Sequence, residues 1–396
     1  MNFPTNSRAE ILELVYLLGK GHSAWENGRA EGFLGVLLET PIRMAKLTDS
    51  GRGGMFAFLD GDTVVMTRWI SKRNILLFAP VTLAFSFCTS LTAFGQSRSE
   101  IVVPGTGAHM QQVGDDFEDE NWEFIQNNPK STEDIDENQR MPLGKSTNGR
   151  WYEGAKRGHP DVVQRVATPP GGIEGSEGSL LMRSLNTGIP NRPSHKMHQD
   201  DFICNVQYRL GGTLKVSQSP NVTTRVFVPP LEEWEKRNGP HFAFRAAVET
   251  TITETKTKFL FSSKSEKDEV YWPGMFILRG TKQVEGKTVP YAYFRVRADR
   301  NGGDFMGPEL PVTGWWTLGL SFTPDGLVHY FARPGVEELR REDYIATSMP
   351  YGYRCEELRS FFYNVVNGDN GRDWSTSWIV DDPKLYVIQN TRMANR

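Results

Sequence analysis

The stretch "YAYFRVRAD", residues 291–299, alternates without a break. Tyr291, Tyr293, Arg295, Arg297 and Asp299 fall on one side of an extended chain, and Ala292, Phe294, Val296 and Ala298 on the other. Side chains of a β-strand point to opposite faces with period two, so this order makes one apolar and one polar face. "HFAFRAAVE" repeats the design, with His241, Arg245 and Glu249 opposite Phe242, Phe244 and Val248. Further strands are expected at "GMFILRG", "WWTLGLSF", "GLVHYFAR", "FFYNVVN" and "KLYVIQN". Pro and Gly clusters such as "ATPPGGIEGSEG", "PNRPS" and "GGDFMGPELPVTG" separate them, which is strand-and-loop punctuation. Helical pattern is confined to short pieces near 231–236 and 336–344. Many short alternating strands joined by turns such as "TPDG" predict an all-β, two-sheet antiparallel sandwich.

A second feature concerns address. "MTRWISKRNILLFAPVTLAFSFCTSLTAFGQ", residues 66–96, has the parts of a secretory signal in order. Arg68, Lys72 and Arg73 supply positive charge, Ile75 to Cys88 is uncharged and apolar, and Ala93 and Gly95 are small residues at the positions a signal peptidase reads. A membrane anchor is the competing reading, since the uncharged run reaches Gly95, but Pro80 and a polar second half suit an anchor poorly. Residues 66–95 are therefore expected to form a signal-peptide-like hydrophobic helix that is cleaved. Residues 1–65 are then either a small domain ahead of it or an upstream extension outside the natural product, and the second reading is favoured. They show no sustained period of either kind beyond a helix-like Glu10 to Leu18.

The remaining chain of about 300 residues suits one large β domain. Its parts are expected to be a flexible leader at 96–114 and a sandwich domain at 115–390. The whole sequence has a formal net charge of −3, which gives no reason to expect nucleic acid as a partner. Cys204 and Cys355 remain after cleavage, and an even count in an exported protein permits one disulfide; two buried thiols are the alternative. Asp115 to Glu137 holds ten carboxylates against one Lys, a run that reads as a solvated face.

The order of the strands, with "WWTLGLSFTPDGLVHYFARPG" in the C-terminal half and "WIVDDPKLYV" as a closing strand, resembles the concanavalin A-like lectin and glucanase (LamG-like) jelly roll of secreted bacterial proteins. The resemblance is one of pattern and covers roughly Asp115 to Asn390. It implies a jelly-roll sandwich whose first and last strands pair, bringing "DDFEDENWEF" beside "WIVDDPKLYV". It also implies a structural calcium ion held by Glu118 and Asp382, with Asp116 nearby; solvated edge carboxylates are the competing reading. Retaining glucanases of this fold carry Glu-x-Asp-x-x-Glu on one strand, and no strand here matches. "EDIDE" at 133–137 has the acids without strand flanks.

Candidate ligand-binding residues are Arg245, Tyr293, Arg295, Arg297, His329 and Arg333, because each alternates with apolar neighbours and all six are expected to share one groove. Arginine pairs bidentately with carboxylate or sulfate, and Tyr or His beside a neutralised uronate can serve as base and acid. An ordinary solvent-facing sheet is the competing reading. "HKMHQDD" offers His195, His198 and Asp200 to zinc but lies in a loop without a general base at helical spacing. Asn221-Val-Thr fits the glycosylation triplet and reads as a turn. The expectation is a secreted or periplasmic protein, with no membrane association after signal cleavage, that binds polysaccharide or cell-surface glycan. The alternative is a polysaccharide lyase or glycoside hydrolase acting on an acidic polysaccharide.

Overall fold

The computed structural model describes residues 100–258 and 261–388, and earlier in the chain only three strands, β1 (Leu47–Thr48), β2 (Gly54–Asp60) and β3 (Thr63–Arg68). The chain divides into two compact units, Met1–Leu91 and Thr92–Arg396. In the first, β1, β2 and β3 form an antiparallel sheet where the sequence shows no sustained period, and β3 takes in residues 66–68, the start of the segment expected to be a hydrophobic helix. The rest of the export-like segment 66–95 lies outside the described residues.

The second unit opens with β4 (Ala108–Gly114), β5 (Phe124–Ile125), β6 (Lys145–Ser146) and β7 (Trp151–Glu153). There follow β8 (Val162–Ala167), β9 (Gly178–Arg183), β10 (His198–Cys204), β11 (Leu214–Lys215) and β12 (Asn221–Val228). The hairpins come next: β13 (Gly239–Lys258), β14 (Phe261–Tyr271), β15 (Gly274–Val284), β16 (Lys287–Arg297) and β17 (Asp304–Leu310). Last are β18 (Gly314–Phe322), β19 (Val328–Pro334), β20 (Tyr344–Ser348), β21 (Glu357–Asn367) and β22 (Trp378–Val387). They make two antiparallel sheets. The larger has the order β17-β16-β15-β13-β21-β10-β7-β6-β5, and the smaller β20-β19-β18-β12-β22-β9-β8, with β4 also on β22. This is the two-sheet sandwich that the alternation predicts, in the jelly-roll form that the resemblance implies.

The period-two pattern explains which residues lie between the sheets. Phe242, Phe244, Ala246 and Val248 of β13, and Phe294 and Val296 of β16, are buried in one cluster with Val222, Val226, Leu318, Leu320, Tyr330 and Trp378 of the smaller sheet. Trp151 stacks on Phe202 with centroids 4.9 Å apart and planes 8° apart, and Phe242 lies 4.9 Å from Trp378. Each such side chain contributes about 1.5–3 kcal/mol on burial. The Tyr363 hydroxyl hydrogen-bonds Thr224 Oγ1 at 2.7 Å, joining the sheets through the core.

The stretch expected to be a loose leader is built into the fold from residue 100 onward. Ser321 Oγ donates to Val102 O at 2.6 Å, Gly105 N donates to Asn221 Oδ1 at 2.8 Å, and β4 pairs with β22. The first strand does meet the last, but it is β4, just upstream of "DDFEDENWEF", that pairs. Gly114, at φ +85°, allows the approach: a Cβ there would meet Pro383 O at 1.9 Å. Asn221 is fully buried and its amide is spent on Gly105, Thr106 and Ser219, so it is a packing residue.

Candidate anion-binding face

The outer surface of the larger sheet is not a plain solvated face. β15 turns Met275 and Ile277 inward and Phe276 and Leu278 outward, and the outward pair packs with Ala243, Tyr293 and Tyr291 as a second, smaller apolar cluster. Two arginines are set into it. Arg245 lies directly across from Phe362 of β21 and Gly274 of β15. Its guanidinium sits 5.3 Å from the Phe276 ring and 5.5 Å from the Phe362 ring. The Arg297 guanidinium sits 5.3 Å from the same Phe276 ring and 5.8 Å from the Tyr351 ring. The result is a row of ring, cation, ring, cation and ring, each cation positioned for cation–π attraction.

The two cations differ in their compensation. Arg297 Nε donates to Asp304 and Nη1 donates to the Tyr351 hydroxyl at 2.7 Å. Arg245 is 7% exposed, and among the described residues no carboxylate forms an ion pair with it. Its Nη1 donates to Asn364 Oδ1 at 3.3 Å and its Nη2 to Trp272 O at 2.8 Å, while Nε is buried with no acceptor. Burial, and then the neighbouring Arg297, pull its pKa down to about 10. Asn364 relays to a carboxylate, donating to Asp201 Oδ1 at 2.6 Å, and Gln199 donates to the same oxygen at 3.3 Å. Burial raises the Asp201 pKa, against the pull of Arg157 and Arg245. Lys156, 5.2 Å above the Trp272 ring, brings a further cation to this side.

Of the six expected ligand residues, the structure gathers Arg245, Tyr293, Arg295 and Arg297 on this face. His329 and Arg333 lie on β19 in the other sheet. Alternation states which residues share a face of one strand, not which sheet the strand joins. His329 is buried between Thr323 Oγ1 at 2.8 Å and Thr347 Oγ1 at 2.6 Å, and Arg333 Nη1 donates to Glu338 O at 3.2 Å. Neither can contribute to a groove with Arg245.

The two residues expected to hold calcium are each engaged by other partners. Asp382 is held by Arg225 Nη1 at 3.0 Å and by Lys384 Nζ at 2.7 Å, one cation on each oxygen. Glu118 accepts the Glu177 N–H at 3.0 Å. Two cations on the central carboxylate oppose a divalent ion, and among the described residues no group of three His, Cys, Asp or Glu side chains gathers. The pair does not fit calcium. Nor does "HKMHQDD" fit zinc, because Asp200 points into the sandwich against Lys130. Cys204 and Cys355 are two buried thiols rather than a bridge, and burial pushes both pKa values up.

Sequence reasoning missed Asp201, Trp272, Phe276, Tyr351, Phe362 and Asn364. Phe276 and Phe362 belong to strands that are apolar on both sides, so alternation hides their outward face. Two clefts of about 370 and 440 Å³, one beside His195 and Glu235 and the other beside Trp122 and Arg165, lie away from the arginine row. A row of rings and donors along a sheet can hold an extended polymer without an enclosed cavity.

No family model and no curated protein matches the chain. Among solved structures it is similar to an alginate lyase from Pseudomonas aeruginosa, at 6% identity and a TM-score of 0.32 over 58% of this chain and 87% of that one. It is also similar to a family GH131 β-glucanase catalytic domain from Podospora anserina, at 12% identity and a TM-score of 0.30 over 63% of this chain and 86% of that one. A protein of unknown function from Shewanella oneidensis matches at 10% identity and a TM-score of 0.29, over 60% of this chain and 79% of that one.

Proposed function

We propose that this protein binds an acidic polysaccharide along the outer face of the larger sheet. Carboxylate or sulfate groups are taken by Arg245, Arg295 and Arg297, and sugar rings rest on the aromatic side chains between them. The observation that carries this reading is Arg245, a nearly buried guanidinium that among the described residues has no carboxylate ion-pair partner. A buried cation is costly unless an anion compensates it, and a planar acid of a ligand meets its donors in bidentate fashion. The same reading makes the protein an exported one, released from the membrane by cleavage after Gly95, and gives it no use for nucleic acid.

Retention on immobilised polysaccharides tests it. Uronate-rich or sulfated polymers should retain the protein and neutral ones should not, with retention falling as salt screens the charges over about 8–10 Å. Arg245→Met should abolish retention and leave the melting temperature unchanged or higher, since it removes an unpaired buried charge. Arg297→Met should instead lower stability by about 1–3 kcal/mol, because Asp304 loses its partner. Full retention by Arg245→Met would remove this face from consideration. Cleavage of the bound polymer is the second reading, favoured by Asp201, a carboxyl of raised pKa one amide away from Arg245. New reducing ends or unsaturated products from the wild type, absent with Asp201→Asn, would establish it.

A further inference from the structure

Lys130 lies between β5 and the short helix Glu133–Asp136, and its side chain runs into the sandwich instead of out to water. Gly158 makes the passage, for a Cβ there would meet Lys130 Cδ at 2.8 Å and Cγ at 2.9 Å. Lys130 is 1% exposed. Its Nζ lies 2.6 Å from Asp200 Oδ2, 3.0 Å from Asp161 Oδ1 and 3.1 Å from His159 O.

The two carboxyls have different surroundings. Asp200, on the inward side of β10, is fully buried; its Oδ2 also accepts the Ser184 hydroxyl at 2.6 Å, and its Oδ1 has no partner. Asp161 reaches the edge of the site at 23% exposure, and its Oδ2 accepts the backbone N–H groups of Leu185 and Asn186 at 2.6 and 2.7 Å. An ion pair kept only for stability would satisfy both Asp200 oxygens, since an orphaned buried oxygen is costly. Here one oxygen is polarised by two donors and the other has none, which is the arrangement of an acyl group next to an amine.

We propose that Lys130 and Asp200 condense to an isopeptide bond within the folded domain, with Asp161 carrying the proton. Asp161 takes a proton from the Lys130 ammonium, and the amine lone pair attacks Asp200 Cγ. The charge that develops on Oδ2 is met by the Ser184 hydroxyl. Oδ1 then departs as water with the proton returned by Asp161, and the second proton that the former ammonium nitrogen must lose passes to the freed Asp161 carboxylate and from its exposed edge to solvent, offsetting the proton that made Asp200 the neutral acid. The Nζ–Cγ bond forms, the Cγ–Oδ1 bond breaks, and the net change from ammonium and carboxylate is loss of one water with no oxidant or cofactor. Burial drives Asp200 well above the carboxylate range, towards the neutral acid that an amine can attack, whereas Lys130, lowered by burial but raised more by Asp200 and Asp161, rests as the ammonium that Asp161 must deprotonate first. Holding the amine against the acid within the packed interior supplies the proximity that free groups in water lack.

Tryptic digestion of the unfolded, purified full chain tests the bond. Cleavage normally follows Lys130 and yields residues 131–140 and 197–209 as separate peptides. The bond predicts no cleavage after Lys130 and a branched species joining 99–140 to 197–209, one water lighter than the sum of the two. Asp200→Asn should give a branched species of the same mass, now by loss of ammonia, a result no ion pair can imitate. Asp161→Asn should leave the peptides separate. Separate, full-mass peptides from the wild type would overturn the proposal, and a link that persists at full yield in Asp161→Asn would overturn the role given to Asp161.

Discussion

Asp381 shows how one strand position sets a titration. It faces outward from β22 beside Asp382 and accepts a hydrogen bond from Ser176 Oγ at 3.0 Å. Burial first, and then the charges of Asp382 and Glu118, raise its pKa from 3.8 to about 7. Between about pH 4 and 7 the folded chain therefore binds a proton there that the unfolded chain has lost, so this group's contribution to stability falls as pH rises through that window and is flat above it. Asp381→Asn keeps an acceptor for Ser176 and removes the titration. The variant's melting temperature should gain on the wild type from pH 4 to 7 and then run parallel. A constant gap would mean that Asp381 is ionised throughout. The pattern "WIVDDPKLYV" shows two adjacent acids but not their division of labour, in which Asp382 holds cations and Asp381 holds a proton; that depends on Arg225 and Lys384, which a local reading does not bring together.

At the scale of elements, alternation carried the strands and one side of the candidate face. Arg245, Tyr293, Arg295 and Arg297 were legible because each belongs to a strand with one apolar and one polar side. His329 obeys the same rule, yet its strand pairs with β18 and β20 in the smaller sheet, and pairing between distant strands leaves no mark in a local pattern. The acidic run was half legible: Asp115, expected in water, accepts from Trp122 and Trp151 at 3.0 and 3.2 Å. Length was another surprise, for β13 runs 20 residues. Past Glu249 it leaves β21 and, among the described residues, pairs with β14 alone. Two strands without a sheet behind them are marginal in water, so this ribbon should contribute little to the sandwich. Replacing residues 252–267 with an Asn-Gly turn would join Thr251 to Asp268, which already face each other. The melting temperature should move by no more than about 2–4 °C, the scale of 1 kcal/mol for a domain of this size. A larger drop would show that the ribbon packs against the rest.

For the sandwich as a whole, stability depends on how completely each sheet is covered, and the two outer faces are treated differently. The larger sheet keeps its arginine row on its outer side. The smaller sheet is crossed by residues 102–107 and extended by β4. Pro104 is buried above Gly319, where a Cβ would meet its ring at 2.7 Å. A chain that starts at Asp115 would lose Val113 from the core, worth about 1.5–3 kcal/mol. It would also leave the fully buried Asn221 without its partners at Gly105 and Thr106, at about 1–3 kcal/mol. Ser321 would lose Val102 O, and the unpaired edge of β22 would be laid open to other strands. Compared with a chain that starts at Gln96, the shorter one should melt at least about 5 °C lower, at roughly 2–4 °C for each kcal/mol, and should associate as it unfolds. Differential scanning fluorimetry on the two chains decides the matter. Equal melting temperatures would mean that the crossing segment is a passenger and that β22 is stable as an edge.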